Sequence, residues 1–278
     1  VLFNKLFLEH NPKSEFEGAY RIKDFCDFKN KKGCDGEKYL DLVHTKRYIK
    51  KIKNACKHKS TVAEIKLSLT SFESACLAVG LTILASEQND FAIVRPPGHH
   101  TGVDKTSGFC LFNNIAIATK KLVNEGKKVF ILDIDGHHGN GTQSIFYKTN
   151  KVFFCSIHQK DTFPGTGHLE EIGRGEGRNF TLNLPLSAGS GDEEFLSAID
   201  LVIEKAKEFK PDVIAISAGF DGYAKDKLLD LNYSLNSYYE CGRKICSNFK
   251  NVFAVLEGGY HGEIKECVNK FIAGCNGE

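Results

Sequence analysis

The chain has 278 residues, of which 41% are hydrophobic and 26% charged, and its 37 Lys and Arg residues nearly balance 35 Asp and Glu residues. This composition excludes a disordered or fibrous chain. The net charge of +2 gives no reason to expect direct nucleic-acid binding, and the lysine-rich runs at 29–32 and 50–53 are typical of solvated surface.

The ten cysteines form no Cys-x-x-Cys pair, and several lie within apolar runs, where a thiol behaves as a small hydrophobic side chain. A chain of this length does not need a disulfide framework, so we expect reduced cysteines. The stretch from Val1 to Phe7 is interrupted by Lys5 and lacks the apolar core of a signal peptide, and no apolar run is long enough to span a membrane. These features predict a cytoplasmic protein without a membrane partner.

From Phe91 onward, short apolar runs alternate with helical stretches. Six runs have the length and the β-branched content of strands: Phe91–Val94, Val129–Ile134, Val152–Ile157, Phe180–Leu184, Val213–Ile216 and Val252–Leu256. Several are apolar at every position, which is typical of strands buried on both faces. Helices are predicted over Asn114–Glu125 and Glu193–Phe209, which a glycine and a proline follow. The alternation predicts one α/β domain over residues 1–278, with a mostly parallel, doubly wound sheet.

Polar, glycine-flanked segments follow five of the predicted strands. They are Arg95-Pro-Pro-Gly-His-His100, Asp133-Ile-Asp-Gly-His-His-Gly-Asn140, Ser156-Ile-His158, Ser217-Ala-Gly-Phe-Asp221 and Glu257-Gly-Gly-Tyr260. Ligand sites in open parallel sheets lie beyond the carboxyl ends of the strands. We therefore expect one functional site at that edge of the sheet.

Asp133, Asp135 and His137 alternate along one strand end, so their side chains point to the same side while the chain stays extended. Two carboxylates this close repel each other unless a cation lies among them, and the segment contains no Lys or Arg for a salt-bridge network. Asp221 is a candidate third ligand, although an Asp in that position is also common as a helix N-cap. Two Asp and one His, with a fourth position for water, would form an open catalytic metal site.

His99 and His100 follow a stiff Pro-Pro-Gly turn, and imidazoles titrate near neutrality, which suits a general base and a general acid. Asp133 and Asn140 are candidate partners for the two rings. A carboxylate favours the imidazolium and an amide does not, so the two histidines would differ in basicity. The alternative is that the histidine pair lies on the surface without a role.

Three aromatic residues are candidates for the same site. The Tyr260 hydroxyl, after two glycines, suits a donor to a tetrahedral oxyanion, although Gly-Gly-Tyr is often only a turn. Phe109 and Phe163 each lie beside a Gly or a Pro and are candidate walls of a narrow substrate site. The hydrophobic core is the alternative place for both rings.

Together with Gly108-Phe-Cys-Leu-Phe-Asn-Asn114 and Phe163-Pro-Gly-Thr-Gly167, these segments resemble the histone deacetylase superfamily, which includes acetylpolyamine amidohydrolases and acetoin-utilisation-type relatives. The resemblance runs in order from about Lys38 to Tyr260. It is greater for class II than for class I, because Asn140 stands where class I members carry Asp. It implies the arginase–deacetylase α/β fold and an amidohydrolase that depends on Zn²⁺ or Fe²⁺.

The resemblance also implies roles for individual residues. The implied metal ligands are Asp135, His137 and Asp221. The implied catalytic residues are His99 and His100, their partners Asp133 and Asn140, and the oxyanion donor Tyr260. The implied substrate-binding residues are Gly108, Phe109, Phe163, Glu64 and Gly258. Two structural K⁺ sites are implied, one at Asp133, Asp135, His137, Ser156 and Ile157, and the other at Phe146, Thr149, Val152 and Phe180.

The predicted activity is hydrolysis of the acetamide of acetyl-lysine in a protein or peptide. An acetylpolyamine or another small acetylated amine is the alternative substrate, since Glu64 stands where the family often has a rim Asp that grips the substrate backbone. An arginase-like ureohydrolase would need two metals and more carboxylate ligands than the sequence offers. A non-catalytic acetyl-lysine binder is the third alternative, and the oligomeric state is left open.

Overall fold

The computed structural model describes all 278 residues, and its centre is one sheet of seven strands. All paired strands are parallel, in the order β1-β4-β9-β8-β5-β6-β7. Their bounds are Leu2–Phe3 (β1), Phe91–Ile93 (β4), Val129–Asp133 (β5), Val152–Gln159 (β6), Thr181–Leu186 (β7), Val213–Ala218 (β8) and Val252–Leu256 (β9). Two short strands, Thr61–Val62 (β2) and Ile65–Lys66 (β3), form a separate antiparallel hairpin.

Seven α-helices surround the sheet. They are Lys46–Lys57 (α1), Ser71–Gln88 (α2), Asn114–Asn124 (α3), Asn140–Phe146 (α4), Asp192–Phe209 (α5), Leu235–Asn248 (α6) and Ile264–Asn276 (α7). One helical layer is built from α2 and α3, and the other from α5, α6 and α7. Parallel strands need such crossover helices, which cover both faces of the sheet. None of the helices is both long enough and apolar enough to cross a membrane.

A single cluster of 68 buried hydrophobic residues fills the space between sheet and helices. Every residue of β5 and β6 is buried, as expected for central strands covered on both faces. The predicted α/β fold, with a mostly parallel sheet between helices, is confirmed. The last residue of β5, Asp133, pairs with Ser156 on one side and Ser217 on the other, so the strand ends that carry the polar segments lie side by side.

The N-terminal part of the chain, which sequence periodicity did not define, contains short 3-10 turns fixed by a buried charge cluster. The Glu17 carboxylate, fully buried, accepts from Arg95 Nε at 2.6 Å and from Arg21 Nη1 at 3.2 Å. Burial alone would raise the pKa of Glu17, but the Arg95 guanidinium outweighs that effect and lowers it to about 2. Arg21 in turn donates to the carbonyl oxygens of Gly259 and Glu257. The cluster therefore connects the N-terminal segment to the loop after β9.

The cysteines differ from the prediction at one pair. Cys246 of α6 and Cys275 of α7 are joined by a disulfide, with their Cα atoms 5.0 Å apart. The expectation that all ten cysteines are reduced is therefore wrong for these two. Sequence spacing gave no sign of the pair, because the packing of α6 against α7 brings together residues 29 positions apart. The other eight cysteines are free, and five of them are buried.

Candidate active site

Three side chains meet where β5 and β8 end. Asp135 and His137 follow β5, and Asp221 follows β8. Their candidate ligand atoms all lie within 4.8 Å of one another. His137 Nδ1 lies 2.7 Å from Asp221 Oδ2 and 3.4 Å from Asp135 Oδ1. The three residues that the sequence predicts as metal ligands are thus brought together.

Backbone amides fix the two carboxylates of this cluster. Asp135 Oδ2 accepts from the N–H of Gly258 at 2.7 Å, and Asp221 Oδ1 accepts from the N–H of Gly136 at 2.6 Å. A side chain at Gly258 would not fit, because its Cβ would lie 2.5 Å from both carboxylates. Gly258 therefore lies against the ligand cluster and does not line the substrate pocket, where the sequence placed it.

The cluster has the chemistry that a divalent cation needs. Asp135 and Asp221 are both 1% exposed or less, yet no lysine or arginine pairs with either carboxylate. Burial, together with repulsion from Asp135, raises the pKa of Asp221 to about 7. A metal ion would remove this repulsion. Two carboxylates and an imidazole form a donor set suited to Zn²⁺ or Fe²⁺.

The tandem histidines have the two partners that the sequence predicts. His99 Nδ1 lies 3.0 Å from Asp133 Oδ2, and His100 Nδ1 lies 2.8 Å from Asn140 Oδ1. An amide oxygen can only accept, so His100 carries its proton on Nδ1, and its Nε2 is left with a free lone pair. The Glu257 carboxylate accepts from the backbone N–H of His99 at 3.2 Å and thereby positions the histidine turn.

The two histidines differ in basicity, as their partners predict. Burial opposes protonation of His99, but the nearby Asp135 and Asp133 carboxylates outweigh it and raise the pKa of His99 well above 6.5. Burial also raises the pKa of Asp133, so His99 and Asp133 compete for one titrating proton. We assign that proton to His99, because two carboxylates lie beside its ring. For His100, burial and the neighbouring His99 charge lower the pKa well below 6.5. At neutral pH His99 is therefore cationic and His100 is neutral.

A pocket of about 380 Å³ leads from the surface to this cluster. It is lined by Glu64, His100, Gly108, Phe109, His137, Thr162, Phe163, Leu228 and Tyr260. His100 lies 5.0 Å from the Phe163 ring, and Phe109 lies 5.6 Å from the Tyr260 ring, measured between centroids. Sequence reasoning missed Thr162 and Leu228, which belong to none of the motifs that it used and carry no chemical signature. The shape suits a slender, partly apolar chain with a polar end.

One wall of the pocket is held by the tip of the β2–β3 hairpin. Ala63 and Glu64, the two tip residues, both have positive φ, at 53° and 65°. Such turns favour glycine or asparagine, so this pair is strained. The Ala63 carbonyl accepts from the N–H of Phe109 at 3.2 Å, and Glu64 Oε2 accepts from the N–H of Gly108 at 2.8 Å. These two hydrogen bonds offset the strain and fix the residues that line the pocket.

Tyr260 is held by its ring and its backbone. Its ring lies 4.8 Å from the Arg21 guanidinium carbon, and no protein group is hydrogen-bonded to its hydroxyl. Burial raises the pKa of Tyr260 well above 10, although Arg21 opposes the shift, so the phenol keeps its proton at neutral pH. The Asp226 carboxylate accepts from the N–H of Tyr260 at 2.5 Å and from the N–H of Leu228 at 2.8 Å. One carboxylate thus positions two lining residues, a function that the sequence did not indicate.

We expect Asp226→Asn to lower kcat and raise KM. Each carboxylate oxygen of Asp226 accepts from one backbone N–H group, whereas the Asn side chain has one acceptor oxygen and an NH₂ group that would face the other N–H. A small displacement of Tyr260 would lower kcat by about ten- to a hundredfold. The measurement is a kcat and KM comparison with Asp230→Asn, an exposed position in the same segment. A loss of thermal stability at unchanged kcat and KM would contradict the positioning role.

The residues of the two K⁺ predictions lie in separate places. Ser156 and Ile157 belong to β6, beside the end of β5 that carries Asp133. Phe146 ends α4, and its carbonyl accepts from the N–H of Thr149 at 3.2 Å. Val152 begins β6, and the carbonyl of Phe180 accepts from the N–H of Phe154 on that strand. Both sites remain predictions.

Comparison with known proteins identifies relatives of this chain. A family profile described as "Histone deacetylase domain" matches residues 16–275. A "probable deacetylase" of Archaeoglobus fulgidus is 40% identical over 233 residues, covering 78% of this chain and 65% of that protein. "Histone deacetylase 10, chloroplastic" of Oryza sativa is 38% identical and covers 80% of this chain and 56% of that protein. The acetylpolyamine amidohydrolase of Mycoplana ramosa is 37% identical and covers 69% and 58%.

Solved structures show the same fold. The crystal structure of the HDA15 HD domain has a TM-score of 0.92 and 29% identity, covering 99% of this chain and 87% of that chain. An acetylpolyamine aminohydrolase from Burkholderia pseudomallei has a TM-score of 0.85 at 24% identity, covering 99% of this chain and 98% of that chain. The chain spans 56 to 65% of the length of the three curated relatives named above. From the profile match and these identities, the chain belongs to the histone deacetylase family.

Proposed function

We propose that residues 1–278 form the catalytic domain of a zinc-dependent deacetylase that hydrolyses the acetamide of acetyl-lysine in a protein or peptide. The observation that carries the proposal is the pocket itself. Its lining combines the candidate ligand His137, the neutral His100 and the free hydroxyl of Tyr260 with the aromatic rings of Phe109 and Phe163. A four-carbon lysine side chain ending in an acetamide matches that combination of apolar walls and polar end.

Each catalytic residue has a defined task in this proposal. Asp135, His137 and Asp221 would hold the metal, and the chemistry that Zn²⁺ supplies at such a site is polarisation of the acetyl carbonyl and the attacking water. His100 takes the water proton on its free Nε2 and later delivers it to the leaving amine. The cationic His99, which does not line the pocket, stabilises the negative charge that develops in the transition state. The Tyr260 hydroxyl donates to the developing oxyanion.

The burial of the two histidines supports this division of work. His100 lines the pocket, whereas His99 is 2% exposed and does not line it. Because burial and His99 lower the pKa of His100 below 6.5, its basic form is present at neutral pH. The rate should then fall as the pH drops through that lowered pKa, since protonation removes the base.

We therefore expect His100→Ala to lower kcat by about 10²–10⁴ and to remove the acid limb of the profile of kcat/KM against pH. His99→Ala should be less damaging and should keep that limb. Both variants are to be compared at saturating metal. A larger loss in His99→Ala, with the His100→Ala profile unchanged in shape, would reverse the two assignments.

The choice between peptide and polyamine substrates can be tested at Glu64. Its Oε2 is engaged by the N–H of Gly108, which leaves Oε1 to accept from a peptide amide. We expect Glu64→Ala to lower kcat/KM for acetyl-lysine peptides by about tenfold, and for acetylpolyamines by less. Glu64→Gln can keep the hydrogen bond to Gly108 but removes the charge. A loss in Glu64→Ala that is absent in Glu64→Gln would therefore come from displacement of the pocket wall. A greater loss for acetylpolyamines would make them the better substrate class.

Two further parts of the proposal concern ions. Fe²⁺ is the alternative to Zn²⁺, and K⁺ at the two predicted sites would be structural. A ureohydrolase is disfavoured because the structure holds one cluster of three candidate ligands and a two-metal site needs more. Metal content per chain near one would support the deacetylase.

The test of the proposal is release of acetate from a panel of acetyl-lysine peptides and acetylated polyamines, with the metal-free protein reloaded with Zn²⁺ or Fe²⁺. We expect turnover of acetyl-lysine peptides that requires added metal. Binding of acetyl-lysine without acetate release at any metal loading would identify a binder. Turnover of acetylpolyamines alone would replace the substrate assignment while keeping the reaction.

A further inference from the structure

Positive charge is concentrated between residues 46 and 66, the segment that contains α1 and the β2–β3 hairpin. This segment holds eight of the 37 Lys and Arg residues but only one of the 35 Asp and Glu residues, Glu64. The chain as a whole has a net charge of only +2. An uneven distribution of this kind produces a local positive field on a nearly neutral protein.

Most of these cations have no acidic partner within the chain. Lys53 pairs with Glu37 at 2.6 Å, and Arg47 is 3.8 Å from Asp104. No carboxylate lies within 4 Å of the other six, which are Lys46, Lys50, Lys51, Lys57, Lys59 and Lys66. All six are exposed. The basic surface, defined by these six residues, therefore keeps its charge available to another molecule.

Part of the basic surface is concave. Lys59 and Lys66 line a groove of about 390 Å³ together with Lys13, and its other lining residues are Asn11, Leu67, Ser68, Leu69 and Thr70. No acidic residue lines this groove, so three ammonium groups surround it without neutralisation. Carboxylate side chains are the groups that such a groove fits by charge and by hydrogen bonding.

The groove lies close to the substrate pocket. The hairpin tip, Ala63 and Glu64, is hydrogen-bonded to the pocket wall at Phe109 and Gly108. Lys66 is two residues from Glu64, and Lys59 is four residues from Ala63, which limits its backbone distance from the tip to about 14 Å. A peptide that places acetyl-lysine in the pocket spans this distance with about four extended residues.

We propose that the groove lined by Lys13, Lys59 and Lys66 is a docking site for an acidic segment of the substrate polypeptide, within about four residues of the acetyl-lysine. The inference rests on the proposed deacetylase function and extends it to substrate choice. A peptide fits better than a nucleic acid, because no aromatic side chain lines the groove for base stacking. The same charge disfavours acetylpolyamines, whose free amines are cationic.

The experiment compares kcat/KM for three acetyl-lysine peptides whose flanking residues, three to five positions away on either side, are acidic, neutral or basic. We expect the acidic peptide to exceed the neutral one by about five- to tenfold at low salt, mainly through KM. The advantage should shrink in 0.5 M NaCl because exposed charges are screened. Lys59→Glu/Lys66→Glu should abolish the advantage and leave the neutral peptide unchanged.

The matched control is Lys207→Glu/Lys250→Glu, which makes the same change of charge at two other exposed lysines. These positions lie near the starts of β8 and β9, whereas the pocket lies at the carboxyl ends of the strands. This variant should keep the preference for the acidic peptide.

Equal turnover of acidic and neutral peptides would overturn the docking site while leaving the proposed function intact. No turnover of any peptide would instead contradict the proposed function. A duplex or single-stranded oligonucleotide that binds through Lys59 and Lys66 more tightly than the acidic peptide would overturn the assignment of the partner.

Discussion

Asp221→Ala is expected to abolish tight metal binding and turnover together. Asp221 is one of three candidate ligands, and a site with three protein ligands has no substitute for a lost carboxylate. The same carboxylate positions the N–H of Gly136 and contacts His137, so its removal also releases a second ligand. Metal content by mass spectrometry of the purified variant, together with acetate release, measures both effects.

A stability measurement separates loss of metal from loss of fold. Metal bound only by the folded chain raises Tm, so the wild-type protein should show a rise on addition of Zn²⁺ and Asp221→Ala should show little. Asp221→Asn keeps the shape and one acceptor oxygen, and we expect it to fold normally with weakened metal binding. Full metal occupancy in Asp221→Ala would show that Asp221 is not a ligand.

Tyr260→Phe is expected to lower kcat by about 10²–10³ while acetylated ligand and metal bind with nearly unchanged affinity. The hydroxyl acts mainly when negative charge develops on the acetyl oxygen, so its loss affects the transition state more than the ground state. The ring contacts with Arg21 and Phe109 do not involve the hydroxyl and should persist. Single-turnover kinetics and calorimetric binding of an acetyl-lysine peptide provide the two readouts.

The control for this variant is Tyr223→Phe. The Tyr223 hydroxyl donates to Glu263 at 2.9 Å, outside the substrate pocket, so the same deletion there should leave kcat unchanged. Turnover that survives in Tyr260→Phe would exclude the oxyanion role. The inactive variant would otherwise serve to trap acetylated substrates.

The sheet, the candidate metal ligands and the tandem histidines could be predicted because each has a local signature in the sequence. Short apolar, β-branched runs predicted six of the seven strands of the sheet, and β9 has the predicted bounds. The unpredicted β1 is two residues long, too short for any periodicity. Residue type at the strand ends predicted Asp133 and Asn140 as the partners of the two histidines, and the structure pairs His99 with Asp133 and His100 with Asn140.

What the sequence did not indicate depends on packing between distant segments. Asp226 lies well beyond the end of β8, and its carboxylate became informative only when the structure placed the N–H groups of Leu228 and Tyr260 against it. Glu64 was predicted at the rim, but its hydrogen bond to Gly108 depends on a hairpin turn of Ala-Glu, a sequence that does not suggest such a turn. The Cys246–Cys275 pair likewise depends on the packing of two helices.

The buried arginine at position 21 has a consequence for when the candidate active site can form during synthesis. Arg21 donates to the carbonyl oxygens of Glu257 and Gly259, partners 236 and 238 positions later in the chain. Domains begin to fold while the ribosome is still adding residues. Because β9 lies between β4 and β8, a nascent chain that lacks β9 can pair the four strands β5 to β8 but cannot join them to β1 and β4. The loop after β9, which carries Tyr260, likewise acquires the support of Arg21 only after the polypeptide through Tyr260 has emerged. The continuous sheet and the candidate active site therefore form only late in synthesis, and a ribosome stalled before β9 would carry a domain whose sheet is divided in two.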